Sequence, residues 1–211
     1  MVRVKICGVT KWEDAKLAAE LGAHAIGLNF YEQSPRCITP FAASEILRRL
    51  PPFVAPVGVF VNWEEEPVVA LAKALRLAAA QLHGDETSQV VERVAKHYPV
   101  IKALRLGQGT EAQDFAKFRA ASAFLLDAAV SGHYGGTGTT GNWHAARSAS
   151  QSHRVLLAGG LIPENVGEAI RIVRPYAVDV ASGVEARPGK KDPGKMRAFF
   201  EEVGRASREI S

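Results

Sequence analysis

Eight short apolar or β-branched runs alternate with alanine-rich amphipathic stretches along the whole chain, and this alternation restricts the fold more than any other feature. The runs lie at 2–7, 25–29, 57–61, 79–82, 100–104, 123–127, 155–158 and 177–181. Helical periodicity fills the intervals at 12–21, 40–50, 64–75, 86–97, 111–120, 145–152, 163–173 and 192–208. Each helical crossover returns the chain in the same direction, so successive strands pair in parallel. Eight units share 211 residues, 211/8 or about 26 each, the size of one strand–helix unit of a closed barrel. The expected fold is therefore α/β, a single-domain (β/α)8 TIM barrel over residues 1–211. No Pro/Gly/Ser-rich linker divides it. At the first helix, Thr10 is placed as N-cap with Glu13 completing a capping box, and Gly22 as the terminating glycine.

Composition narrows the class. With 47% hydrophobic and 23% charged residues, the chain is neither disordered nor collagen-like. Its longest apolar runs fall short of the roughly 20 residues a membrane span needs. Met1 runs straight into Val2-Arg3-Val4-Lys5-Ile6 with no secretory-signal pattern. Two cysteines, Cys7 and Cys37, cannot form a disulfide framework and fit a reducing, cytoplasmic setting. The net charge is 26 − 22 = +4, but the basic residues are scattered, with Arg48-Arg49 and Lys190-Lys191 the adjacent pairs. A solvated basic surface is expected, not a nucleic-acid partner and not a membrane partner.

In such a barrel, chemistry sits where strands end and loops begin. On the first strand, alternation turns Val2, Val4 and Ile6 toward the helices and Arg3, Lys5 and Cys7 inward. Cys7 at the mouth is either a reactive thiol, with Lys5 favouring its thiolate, or an ordinary buried cysteine. The sixth run, Phe124-Leu125-Leu126, ends in Asp127, either a proton donor or a loop-capping carboxyl. Asp179, between Ala177 and Ala181 on one face, has room for a ligand or for a neighbouring base. His83 could line the mouth or be structural, and Lys102 is expected to partner a buried acid. Gly159-Gly160 after strand seven and Ser182-Gly183 after strand eight occupy the places where barrel loops take phosphate. The polar segment 132–143, with Gly135-Gly136-Thr137-Gly138, is long enough to be a lid or merely a loose loop. Ser34-Pro35-Arg36 presents a guanidinium suited to a planar carboxylate. The six histidines show no metal-ligand spacing and no dinucleotide fingerprint occurs, so neither metal nor cofactor is expected.

These motifs also occur together in one order: Lys5-Ile6-Cys7-Gly8-Val9-Thr10, Ser34-Pro35-Arg36, Val59-Phe60-Val61-Asn62, Gln81-Leu82-His83-Gly84, Leu126-Asp127, Gly135-Gly136-Thr137-Gly138, Ala158-Gly159-Gly160-Leu161 with Asn165-Val166, and Ser182-Gly183-Val184-Glu185 with Gly189-Lys190-Lys191-Asp192. The set resembles the N-(5′-phosphoribosyl)anthranilate isomerase family over nearly the whole chain. The resemblance implies Cys7 as general base, Asp127 as general acid and Arg36 as holder of the anthranilate carboxylate. His83 and Asp179 would also contact substrate, and Gly159, Gly160, Ser182 and Gly183 would take its phosphate. It implies a small phosphosugar–anthranilate substrate and a monomer or homodimer working without cofactor. One departure is visible: Gly141-Asn142-Trp143 stands where the family usually reads Phe-Asp-Trp.

Overall fold

The structure, a computed structural model, describes residues 1–106, 112–128 and 143–210. The expected lid segment, apart from Trp143, lies outside the described residues, and with it the Gly141-Asn142 departure.

Eight parallel strands close into a barrel in chain order. They are β1 (Arg3–Ile6), β2 (Ala25–Asn29), β3 (Ala55–Phe60), β4 (Ala79–Leu82), β5 (Val100–Leu106), β6 (Ala123–Ala128), β7 (Val155–Leu157) and β8 (Ala177–Val180). Between and after them run α1 (Trp12–Glu20), α2 (Pro40–Leu47), α3 (Glu65–Ala74), α4 (Ser88–Ala95), α5 (Ala112–Lys117), α6 (Trp143–Ser152), α7 (Pro163–Val173) and α8 (Pro193–Glu209). A 3₁₀ turn (Ser182–Val184) and a small antiparallel hairpin, β9 (Glu185–Arg187) and β10 (Lys190–Lys191), sit between β8 and α8. β1 closes the ring on β8 with Lys5 opposite Asp179.

Alternation along the strands divides the apolar residues into two layers. Val4, Ile6, Phe124, Leu126 and Val178 join the large core between barrel and helices. Ala103, Ala123, Leu125, Leu156, Ala158 and Ala177 form a separate, smaller cluster inside the ring. Four of those six are alanines, so the interior is narrow in side chain and leaves room above it. Burying a leucine such as Leu126 contributes about 1.5–3 kcal/mol, so the outer layer carries most of the apolar stabilisation.

Several boundaries differ from expectation for local reasons. Thr10 does not cap α1: Lys11 holds that position without a side-chain bond, and the Thr10 hydroxyl donates to the Gly189 carbonyl at 2.6 Å instead. Gly22 does end the helix. Its φ of 90° lets its N–H reach Ala19 while Ala23 N–H reaches Ala18, closing both C-terminal carbonyls. α2 tightens beyond Leu47, with Arg49 and Leu50 bonding three residues back ahead of Pro51-Pro52. α4 begins at Ser88, not 86, because Thr87 caps it and Glu86 is engaged elsewhere. Arg3, the outermost inward residue of β1, reaches solvent and stacks 4.2 Å over Tyr176.

Glu86 accepts from Lys102 Nζ at 2.8 Å and from the N–H groups of Asn62 and Gly84. Both ion-pair members are buried, so Lys102 has the acid partner expected of it. Removing one member of such a pair strands the other in a dry interior, which costs about 3–5 kcal/mol. Glu86→Ala should lower unfolding free energy by about that amount in urea titrations. The double variant Glu86→Leu/Lys102→Met should recover much of the loss.

Candidate active site

The loops at the C-terminal ends of the strands surround a cavity of about 570 Å3. It is lined by Cys7 after β1, Arg36 after β2, His83 after β4, Asp127 on β6, Gly159 and Gly160 after β7, and Asp179, Ser182 and Gly183 on and after β8. Every residue singled out from the sequence as catalytic or substrate-contacting therefore faces one space. A second cavity of about 380 Å3 abuts it, and His83 and Asp127 belong to the walls of both.

Cys7 is partly buried, and its N–H donates to Val180 O at 2.8 Å. Gly27 makes space for it: a Cβ there would lie 2.7 Å from the Cys7 sulfur. The sequence put Lys5 below Cys7 as an acidifying cation, and the net effect is the reverse. Burial raises the thiol above its ordinary value and outweighs the nearby Lys5 ammonium, with Asp179 pushing the same way as burial. Lys5 does favour the thiolate, by its charge and by a hydrogen bond, but burial is the larger influence; the same ammonium also donates to Asp179 Oδ1 at 2.6 Å. For Lys5 itself, burial acts against the charge, but Asp179 and Cys7 together hold its pKa above the ordinary value. Of the two alternatives open for Asp179, a neighbouring base has taken it.

Arg36 also meets a carboxylate inside the protein. Its Nε and Nη2 donate to the two oxygens of Glu185 at 2.9 and 2.8 Å, a bidentate pair. Glu185 thus holds the side-on face of the guanidinium, which leaves the end-on pair, Nη1 with the second Nη2 proton, without a partner among the described residues. Glu185 additionally accepts from Lys191 Nζ at 3.0 Å, and Lys191 donates to the carbonyls of Cys7 and Ala181. Burial alone would raise the Glu185 carboxyl. Arg36 and Lys191 overcome it and hold the group below its ordinary value, while burial lowers Lys191. Sequence reading missed this Arg36–Glu185–Lys191 network as a site feature. Its signal was the acid at the end of Ser182-Gly183-Val184-Glu185, whose distance of 149 residues from Arg36 in the chain hid the pairing.

Backbone geometry sets the other end of the cavity. Gly159 and Gly160 have φ of 81° and 66°, conformations that side-chain-bearing residues rarely adopt. Gly183 packs so closely that a Cβ would meet Leu161 O at 1.8 Å. Asn165 ties the first loop to α7, donating to Gly160 O and accepting from Ile162 N–H. Two glycine loops thus approach each other with their backbone toward the cavity, an arrangement suited to an anion.

Asp127 is 9% exposed. Its Oδ2 lies 3.5 Å from His83 Nε2, and its Oδ1, with Gln81 Oε1, has no hydrogen-bond partner among the described residues. A buried carboxyl oxygen without a partner is costly unless a ligand supplies one. The site therefore combines a thiol, a half-partnered carboxyl, a guanidinium and a glycine-lined anion cradle around one cavity. That set can move protons on a ligand bearing negative charge at both ends.

Comparison with known proteins supports this reading. Residues 4–202 match the family described as N-(5′-phosphoribosyl)anthranilate (PRA) isomerase. A protein of that name from Trichlorobacter lovleyi is 50% identical over 201 residues, covering 95% of this chain and 97% of its own. The crystal structure of phosphoribosyl anthranilate isomerase from Thermotoga maritima superposes with a TM-score of 0.90 at 43% identity, covering 97% of this chain and 99% of that one. Another phosphoribosyl anthranilate isomerase, 42% identical with a TM-score of 0.86 and the same coverages, was solved with reduced 1-(o-carboxyphenylamino)-1-deoxyribulose 5-phosphate.

The titration of Cys7 tests the site's electrostatics. In a Cys37→Ser background, which removes the other thiol, thiolate absorbance should develop with a midpoint above the usual value of about 8.5. A midpoint below it would mean that Lys5 and Lys191 prevail over burial.

Proposed function

The chain belongs to the N-(5′-phosphoribosyl)anthranilate isomerase family, and from that premise we propose how its own residues perform the reaction. The protein is an isomerase of tryptophan biosynthesis. It rearranges N-(5′-phosphoribosyl)anthranilate to 1-(2-carboxyphenylamino)-1-deoxyribulose 5-phosphate, an aldose-to-ketose Amadori rearrangement. Asp127 gives its proton to the furanose ring oxygen. The bond from that oxygen to C1′ breaks, and the anilino nitrogen's lone pair forms the Schiff base. Cys7 takes the proton from C2′, and the enolamine relaxes to the ketose. After ring opening the remaining steps are proton transfers, C2′ losing its proton, C1′ gaining one and the 2′-hydroxyl releasing its own as the ketose forms.

The observation that carries this assignment is the opening of Cys7 and Asp127 into one cavity from β1 and β6, three strands apart by the shorter way round the ring. A sugar between them meets the acid on one side and the base on the other. Burial makes the Cys7 thiol a weaker acid, hence a stronger base once ionised. Lys5 and Lys191 both favour the thiolate, and the cationic Schiff base formed by ring opening adds to them when the C2′ proton moves. The glycine loops at 159–160 and 182–183 receive the phosphate. The end-on donors of Arg36 receive the anthranilate carboxylate, with Glu185 keeping the guanidinium plane in place. His83 and Asp179 line the sugar between these ends.

Among the described residues no helix is long and apolar enough to cross a membrane. Two free cysteines fit work in a reducing cytoplasm, as a monomer or homodimer.

The reaction can be followed by loss of substrate fluorescence. Each general acid or base contributes roughly 10²–10⁴ in rate, so Cys7→Ser and Asp127→Asn should each cut kcat by about two orders or more, with smaller changes in KM. Turnover near wild type in either variant would remove that residue from its role. Arg36→Met should chiefly raise KM, because a carboxylate contact present in ground and transition states alike is uniform binding.

A further inference from the structure

Gln81 occupies a position that the mechanism above does not use. It is fully buried on β4, between Val59 and Ile101 of the neighbouring strands. An amide side chain in an all-parallel barrel strand is out of place in an otherwise apolar layer, and burying it costs free energy unless its polar atoms are used. Half of it is used. Its Nε2 lies 2.8 Å from His83 Nδ1, while its Oε1 has no partner among the described residues.

The chemistry of that contact fixes more than the amide. An amide nitrogen can only donate, so His83 Nδ1 must accept and carries no proton. In the neutral ring the single proton then sits on Nε2, the nitrogen that faces Asp127 Oδ2 at 3.5 Å. The opposite amide orientation would give Oε1 a partner but would leave both amide protons without one in a dry environment. It would also point a bare His83 lone pair at the carboxyl. We propose that Gln81 is a positioning residue for the isomerase reaction: it sets the Nε2–H tautomer of His83, and through that N–H it steadies the Asp127 carboxylate left after proton donation. The inference rests on the assignment of Asp127 as the acid.

The balance of the step is simple. When Asp127 transfers its proton to the ring oxygen, the charge left behind is shared by two carboxylate oxygens. The His83 N–H shortens its 3.5 Å approach to Oδ2 and becomes a charge-assisted bond. Oδ1, which has no partner among the described residues, remains the atom that handles substrate. With the other tautomer, the His83 lone pair would face Oδ2, competing for the same proton before transfer and repelling the anion after it. The effect falls on a species formed during turnover, so it belongs in kcat and not in substrate affinity.

The tautomer is directly observable by 15N NMR of ring-labelled histidine, the His83 signals being picked out from those of the six histidines by their loss in a His83→Asn variant. Wild-type protein in alkaline buffer should show a pyrrole-type Nε2 and a pyridine-type Nδ1 for His83. Gln81→Glu keeps the size and replaces the donor with an acceptor. It should move the proton to Nδ1 and lower kcat by about tenfold or more, with KM changed less than about threefold. A wild-type His83 protonated on Nδ1 overturns the proposal without any variant, so misfolding of Gln81→Glu cannot shelter it. A reversed tautomer with unchanged kcat overturns it equally. Asp127→Asn separates the two levels. If that variant is inactive while Gln81→Glu turns over normally, only the positioning role fails. If Asp127→Asn itself stays active, the acid assignment fails first.

Discussion

A charge inside a protein has to be met by an opposite charge, and in this barrel that requirement arranges the whole mouth. Lys5 meets Asp179, Lys102 meets Glu86, and Lys191 with Arg36 meets Glu185. Two of them join elements far apart in the chain, β1 to β8 and the β2 loop to the hairpin after β8, while Lys102–Glu86 ties β5 to the preceding β4–α4 loop and Lys191–Glu185 fastens the hairpin itself. Such pairs give little net stability over apolar replacements, since desolvation offsets most of the attraction, but breaking one is expensive. Their effect is to hold loops in place above a core that is otherwise mostly alanine inside the ring.

The same requirement exposes the groups that are not fully met. Among the described residues, Asp127 keeps a buried oxygen without a partner. Burial pushes the Cys7 thiol up and outweighs the cations beside it. Both groups open on the cavity whose far walls are the guanidinium of Arg36 and the two glycine loops. The chemistry sits where internal pairing stops, and the ligand's phosphate and carboxylate complete a charge pattern that the protein leaves open.

Much of this was legible in the sequence. Each of the eight barrel strands and eight helices overlaps the run that alternation assigned to it, with ends shifted by a few residues, because buried parallel strands and amphipathic helices have distinct apolar periods. The inward direction of Lys5 and Cys7 followed from period two, and the mouth positions of Asp127, His83 and the glycine loops followed from strand ends. What was hidden is pairing. Asp179 was visible but not its commitment to Lys5. Arg36 was visible but not Glu185, which claims half its fork. Thr10 has the composition of a cap, yet its hydroxyl is drawn to the Gly189 carbonyl in a distant hairpin. Gln81 read as one residue of a motif, and its amide gains meaning only beside His83. Local patterns encode which face a side chain takes; which partner it finds there depends on elements that meet after folding.

The central claim is geometric: a thiol and a carboxyl address opposite sides of one sugar. A crystal structure of this protein with the reduced ketose product tests it most directly. The account predicts the Cys7 sulfur in van der Waals contact with C2′, Asp127 Oδ1 in hydrogen-bonding reach of the oxygen released from the ring, and the two groups on opposite sides of the sugar carbon chain. A bound ligand with C2′ turned away from the sulfur, or with both groups on one side of it, would contradict the account.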